Sequence, residues 1–147
     1  MKTFSIGRLA ATAVGSFALV AMSAGPALAD EFAALMSGAN ETPVLGDPDG
    51  FGVTRVTLSN SNTRLCYQIY VRNIAPATLA HIHRGAAGVP GPVVVNFTPP
   101  TFGVSQGCTS IAQSLGDEIE ANPELFYSNV HNAQFPGGAV RGQLFAR

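Results

Sequence analysis

The chain has 147 residues, with eight basic and nine acidic side chains. This length suits one ordinary domain with a core of its own. Because nucleic acid binding depends on clustered positive charge, the near-neutral balance excludes nucleic acid as the main partner, and it equally disfavours an electrostatic membrane anchor.

The N-terminus has the layout of a cleavable signal peptide. Lys2 and Arg8 precede an apolar stretch over residues 9–22. A run of mostly small residues follows and ends with Ala27-Leu28-Ala29, which has the A-x-A form of a cleavage site. A membrane anchor is the alternative, but the stretch is shorter than the roughly 20 residues that a spanning helix needs. We therefore predict cleavage after Ala29 and an exported domain over residues 30–147, secreted, periplasmic or at the cell surface, with no membrane span.

Short runs of β-branched and aromatic residues, separated by glycine and proline, dominate the rest of the chain. Seven predicted strands cover Phe32–Ser37, Phe51–Leu58, Arg64–Arg72, Thr78–Arg84, Pro92–Phe97, Tyr127–His131 and Ala139–Phe145. Residues 111–126 are the one helical candidate, and Pro123 divides them into two pieces. The pattern predicts an all-β fold: a Greek-key-like β-sandwich or open barrel of about seven short antiparallel strands with one short helical insertion.

The third predicted strand shows which of its sides faces the core. Side chains alternate between the two faces of a strand. The apolar set is Leu65, Tyr67, Ile69 and Val71, whereas the intervening positions include polar and charged residues. We expect the apolar set to be buried.

Cys66 and Cys108 are the two cysteines of the chain. In an exported protein, a disulfide between them is the simplest expectation. It would stabilise the fold by roughly 4 kcal/mol on the chain-entropy model. Metal ligation or nucleophilic catalysis is the alternative, although neither cysteine lies in a CxxC pair.

All three histidines lie in two strand-like motifs, His81-Ile82-His83 and Asn129-Val130-His131. Residues two apart share a face of a strand, so His81 and His83 project together. If the two strands are neighbours, three imidazoles converge in the open geometry of a copper or catalytic zinc site, and copper is favoured in an exported protein. The alternative is a hydrogen-bonded ladder of histidines that orders nearby loops.

Four further residues are candidates for a supporting role. Tyr127 and Asn129 share the face of His131, and Asn129 is a candidate to orient a ligating ring. Arg141 follows on the next strand and is expected to orient Glu41 or an anionic ligand, or to form a structural ion pair. No catalytic residue is predicted, since no Gly-x-Ser-x-Gly elbow or comparable motif is present.

Three separated motifs resemble the chordin (CHRD) domain family: Leu35–Val44, the His-Ile-His glycine-rich segment His81–Val94, and Asn122–Leu144. The resemblance covers about residues 31–145. Asn132 stands where the family usually has threonine, and Ala139 where it usually has glutamate. The resemblance implies an exported β domain; in animals the domain occurs within chordin, an extracellular binder of growth factors.

A looser likeness links the chain to copper-zinc superoxide dismutases, which are also small disulfide-containing β proteins with a His-x-His strand and a late arginine. The histidines and aspartate of their zinc subsite are absent here. Three hypotheses remain: a non-enzymatic domain that holds copper or zinc, a structural or protein-interaction domain without metal, and a dismutase-like copper enzyme. The first is favoured.

Overall fold

The structure is a computed structural model that describes residues 30–147, so the predicted signal peptide lies outside the described residues. The described part contains eight strands and one α-helix. They are β1 Glu31–Ser37, β2 Phe51–Leu58, β3 Arg64–Arg72, β4 Ala77–Arg84, β5 Val93–Phe97, β6 Val104–Ser110, α1 Gln113–Ala121, β7 Phe126–Asn132 and β8 Val140–Ala146. Two 3-10 turns cover Gly38–Asn40 and Pro123–Leu125. Between residues 30 and 147, no helix is long and apolar enough to cross a membrane.

All eight strands form one antiparallel sheet in the order β5-β4-β7-β8-β1-β2-β3-β6. The sheet curls until the edge strand β5 contacts β3, the neighbour of the other edge strand β6. The ring of Tyr67 on β3 stacks on Phe97 of β5, with centroids 4.2 Å apart. The backbone N–H of Thr98 also donates to the Tyr67 hydroxyl at 3.0 Å. The predicted all-β fold is therefore confirmed, as a nearly closed barrel.

Alternation along each strand places one set of side chains inside the barrel. Leu65, Tyr67, Ile69 and Val71 are all buried, which confirms the predicted core face of β3. The interior is not purely apolar, because the hydroxyls of Thr54 and Ser128 meet there at 2.8 Å. This pairing satisfies two polar groups that would otherwise be costly to bury.

The strand β6 was not predicted from the sequence, although most other boundaries agree within one or two residues. Its sequence is largely polar and half-exposed, so no buried apolar stripe marks it. Its place in the sheet depends on β3, where Cys66 and Cys108 lie directly opposite each other and form a disulfide. The predicted disulfide is thus confirmed.

The helical candidate is shorter than residues 111–126. Helix α1 ends at Ala121, and Pro123 begins a 3-10 turn. Phe126 already belongs to β7, where its side chain is fully buried. Proline cannot continue an α-helix because it lacks the N–H donor, which explains the early end.

Strands β4, β7 and β8 are neighbours, and loops cover the side of them that faces away from the barrel interior. One loop connects β1 to β2, a second connects β4 to β5, and a third connects β7 to β8. The first two meet where the Thr42 hydroxyl donates to the carbonyl of Gly88 at 3.4 Å. Polar side chains on this outer side are therefore enclosed between sheet and loops.

Candidate metal centre

The three histidines lie together on the outer side of β4 and β7. His131 is paired with Leu79, and His81 with Asn129, so the two His motifs run past each other in adjacent strands. Ile82 points the opposite way and is fully buried in the core. One nitrogen from each of the three rings lies within 4.8 Å of the others. The tertiary structure therefore brings together the three histidines that the sequence analysis predicted to cluster.

Hydrogen bonds orient each ring. His83 Nδ1 lies 2.8 Å from the carbonyl oxygen of Gly91, and His131 Nδ1 lies 3.0 Å from that of Pro136. A carbonyl oxygen only accepts, so both Nδ1 atoms carry the proton and both Nε2 atoms hold a free electron pair in the neutral rings. His81 Nδ1 donates in turn to His131 Nε2 at 3.2 Å.

The Nε2 atom of His83 is buried and has no hydrogen-bond partner among the described residues. The residue is only 9% exposed. A buried polar atom without a partner costs free energy comparable to a lost hydrogen bond. The cluster thus contains a buried nitrogen whose electron pair accepts no hydrogen bond from the described residues.

Burial keeps the cluster uncharged. It lowers the pKa of His81 to about 4, with the nearby rings of His131 and His83 adding to the effect. The pKa values of His83 and His131 are also lowered, again mainly by burial. Neutral imidazole is the form that binds metals. At neutral pH all three rings are therefore in the ligating form.

Tyr127, on β7, lies next to His83 of β4. Its ring stacks on His83 with centroids 4.7 Å apart and planes at 5°. The guanidinium of Arg141, on the neighbouring strand β8, lies 3.4 Å from the centroid of the same tyrosine ring. The tyrosine hydroxyl accepts from the backbone N–H of Gly91 at 3.2 Å. Tyr127 thus links His83 to Arg141 and to the loop above them.

Arg141 is almost completely buried and holds the β4–β5 loop. Its Nη2 donates to the carbonyls of Ala86 and Val89 at 2.9 and 3.0 Å. Its Nη1 has no hydrogen-bond partner among residues 30–147. Within the described chain, it forms no salt bridge with Glu41. The guanidinium therefore fastens the loop and does not form a direct ion pair with that carboxyl group.

Glu41 belongs to the β1–β2 loop, and its carboxyl group packs against Gly138. Burial raises the pKa of its carboxyl group to about 7, an effect that the charge of Arg141 and a hydrogen bond at Thr42 partly oppose. Its Oε1 is buried without a hydrogen-bond partner in the described chain, as is Oδ1 of Asn129. Asn129 lies opposite His81, within reach of the cluster.

Gln143 contributes to the site and was missed in the sequence. Its Nε2 donates to the carbonyls of Gly85, Glu124 and Phe126 at 2.8, 2.7 and 3.0 Å. It therefore ties the start of the β4–β5 loop to the segment that enters β7. The sequence did offer a signal for Gln143: it lies two residues after Arg141, so the two side chains share a face of the same strand.

Comparison with known proteins identifies a family but no individual relative. The model of the CHRD domain matches residues 32–144, which includes all three histidines and both cysteines. No curated protein matches the chain significantly. No solved structure does so either.

Proposed function

Because this chain belongs to the CHRD domain family, we propose that it is an exported binding domain that holds one transition-metal ion through His81, His83 and His131. The family supports a role in binding. The metal is the finer part of the proposal, with copper favoured over zinc. No catalytic step is assigned to the site.

The single observation that carries the metal proposal is the buried, unpartnered Nε2 of His83 beside two other imidazoles. Two nitrogens bound tetrahedrally to one ion at about 2.1 Å lie roughly 3.4 Å apart. The 3.2 Å between His81 Nδ1 and His131 Nε2 is close to this spacing, and His81 Nδ1 would become a ligand once its proton moves to Nε2 of the same ring. Because the three nitrogens lie within 4.8 Å of one another, binding would require the remaining nitrogen–nitrogen distances to shorten by at most about 1.4 Å.

The carbonyls of Gly91 and Pro136 supply the outer support that metal-binding histidines commonly have. Each accepts from an Nδ1 and so fixes the orientation of the ring whose Nε2 would bind. Three neutral imidazoles suit copper and zinc alike, and Cu²⁺ binds nitrogen ligands more tightly than Zn²⁺. This higher affinity for nitrogen ligands favours copper over zinc at the three histidines.

Export is supported by two features of the chain. The Cys66–Cys108 disulfide is the kind of bond that persists in oxidising compartments. The first 29 residues have the composition of a cleavable signal peptide. Mass spectrometry of the exported protein should give an N-terminus at Asp30; an N-terminus at Met1 would contradict this part of the proposal.

The metal proposal is tested by titrating the purified protein with Cu²⁺ and Zn²⁺, beside the variant His81→Ala/His83→Ala/His131→Ala. We expect one equivalent of metal in the parent, none in the triple variant, and nitrogen hyperfine couplings in the Cu²⁺ paramagnetic resonance spectrum. Tyr70→Ser is the matched control, because it removes a half-exposed side chain of β3, remote from the histidines, and leaves every imidazole and the β4–β5 loop in place. Absence of binding in the parent would overturn the proposal.

The second candidate is a protein-interaction domain in which the histidines only order loops. It is favoured by the hydrogen bonds that His83 and His131 already make to loop carbonyls. It predicts that the triple variant loses stability in a chelating buffer, while neither protein binds metal. The titration above therefore separates the two candidates.

A dismutase-like copper enzyme has less support. In that hypothesis Arg141 would guide an anion to the metal, but its Nη2 is engaged with the carbonyls of Ala86 and Val89 and the residue is 1% exposed. The ring of Tyr127 also packs against both the guanidinium and His83. Superoxide turnover by the copper-loaded protein is the measurement that would revive this hypothesis.

A further inference from the structure

A second surface, remote from the histidines, lies on the outer side of β1, β2, β3 and β6. Here the strand register aligns four apolar side chains into one row: Leu35 opposite Val53, Val53 opposite Tyr70, and Tyr70 opposite Val104. Leu35, Tyr70 and Val104 are 63, 48 and 55% exposed. Single exposed apolar residues are ordinary, whereas a contiguous row commonly marks an interaction site. We call this surface the apolar row.

More apolar area surrounds the row. Phe51 lies two residues before Val53 and therefore on the same side of β2, and it is half-exposed. Phe102, just before β6, is almost fully exposed. Phe145, on β8, is opposite Ala33 and is also half-exposed. The outer side of an antiparallel sheet that faces water is expected to be polar, so this composition needs another explanation.

The charge around the row is positive. Three arginines lie on the same side of the sheet as the apolar row: Arg55 on β2, and Arg64 and Arg72 on β3. All three are exposed. Within the described chain they form no salt bridge. The acidic residue on the outer side of these strands is Glu31, which is already paired with Arg147. By contrast, the segment around helix α1 carries Asp117, Glu118, Glu120 and Glu124.

A depression of about 490 Å³ adjoins the row. Its lining includes the guanidinium group of Arg55 and the amides of Gln68 and Gln106, above the Cys66–Cys108 disulfide, and also Arg147 in its salt bridge with Glu31. The guanidinium of Arg55 and the N–H groups of the two amides can donate to a carboxylate, and arginine binds carboxylates in a bidentate manner. The surface therefore offers apolar contacts and an anion-binding depression side by side.

We propose that the apolar row and its arginines dock a segment of a protein partner in which carboxylates alternate with large apolar side chains. Charge decides against a second copy of the same face, because a symmetric pair would bring arginines against arginines. The row spans three inter-strand spacings of about 4.8 Å, or roughly 14 Å, which an extended segment of about five residues covers. Docking at this surface does not depend on metal binding. It would place the binding role that the CHRD family supports on the outer side of β1, β2, β3 and β6.

The test is a ¹⁵N NMR titration of the purified protein with the capped pentapeptide Glu-Phe-Glu-Leu-Glu, beside its counterpart Lys-Phe-Lys-Leu-Lys. We expect the acidic peptide to shift amides of β1, β2, β3 and β6, and to bind more weakly as salt is raised. Tyr70→Ser should raise its Kd at least tenfold, and Arg55→Gln/Arg72→Gln should raise it and reduce the salt dependence. Leu125→Ser, which removes an exposed apolar side chain from the 3-10 turn before β7, is the matched control and should leave the Kd unchanged.

Several results would overturn the proposal. They are equal binding of the basic peptide, shifts centred elsewhere on the protein, no shifts at millimolar peptide, or a Kd that Tyr70→Ser leaves unchanged. Sedimentation that shows a dimer of the parent dissociated by Tyr70→Ser would assign the face to a second copy instead. Because the titration can be run with and without chelator, its failure is distinguishable from failure of the metal proposal.

Discussion

At the level of single residues, burial has opposite effects on the acids and bases near the site. The pKa of His81 is lowered to about 4, and that of Glu41 is raised to about 7, in both cases mainly because burial disfavours the charged form. Each shift links protonation to the free energy of unfolding, but with opposite sign. The two residues therefore make separable contributions to the pH dependence of stability.

For His81, the unfolded chain binds more protons than the folded protein between about pH 6.5 and 4. Its contribution is fully present above pH 6.5 and is lost as the pH falls through that window. In chelating buffer, His81→Gln should reduce the slope of the unfolding free energy against pH by up to about 1 kcal/mol per pH unit between pH 6 and 4.5. Urea unfolding at each pH measures it, and parallel curves for parent and variant would contradict it.

For Glu41, the folded protein binds more protons than the unfolded chain between about pH 4.5 and 7. Its ionisation therefore costs stability as the pH rises through that window. Glu41→Gln keeps a neutral side chain of the same shape and should raise the free energy of unfolding by about 1–3 kcal/mol at pH 8, with little change at pH 4.5. A gain of equal size at both pH values would show that ionisation is not the cause.

At the level of elements, the β4–β5 loop is held by side chains from three strands. His83 of β4, Tyr127 of β7, and Arg141 and Gln143 of β8 all bond to its backbone. The loop in turn supplies the carbonyl of Gly91 that orients His83. Loop and candidate centre are therefore one structural unit, and a change in the loop backbone should reach the imidazoles.

Gly91→Ala tests this coupling. A side chain at Gly91 would collide with the carbonyl of Arg84, a backbone group that cannot rotate away. We expect a loss of about 1–3 kcal/mol in stability and, if metal binds, at least a tenfold loss in affinity. Gly137→Ala is the matched control, because nothing lies within 4 Å of its added carbon. Equal effects of the two variants would show that the loop does not position His83.

At the level of the whole molecule, the disulfide and the histidines lie in different parts of the barrel. Cys66 and Cys108 join β3 to the edge strand β6, whereas the histidines lie on β4 and β7. The barrel closes through the stacking of Tyr67 of β3 on Phe97 of β5, and no strand ladder joins the edge strands β5 and β6. The disulfide therefore secures an edge that has backbone pairing on one side only.

Cys66→Ala/Cys108→Ala should lower the free energy of unfolding by roughly 4 kcal/mol, because the bond closes a loop with a sequence separation of 42 residues. Urea unfolding of the variant and of the chemically reduced parent should agree. Metal stoichiometry should be unchanged in folded variant protein. A loss below 1 kcal/mol would mean that the bond does not constrain the unfolded chain, and altered stoichiometry would mean that the two regions are coupled.

Local patterns in the sequence were sufficient for most of the fold. Alternating apolar residues identified seven of the eight strands and the buried side of β3, because side chains alternate between the faces of any strand. They missed β6, which is polar and is held by its partner strand and by Cys108. They also overextended the helix, because the burial of Phe126 in β7 depends on packing.

The sequence by itself determined the all-β class, the disulfide and the identity of the three histidines, because strand periodicity, cysteine count and residue type are local properties. Only the tertiary structure decided that β4 lies beside β7, that Arg141 holds a loop instead of pairing with Glu41, and that Leu35, Val53, Tyr70 and Val104 align across four strands. The reason is that strand order and register are set by contacts between residues far apart in the chain.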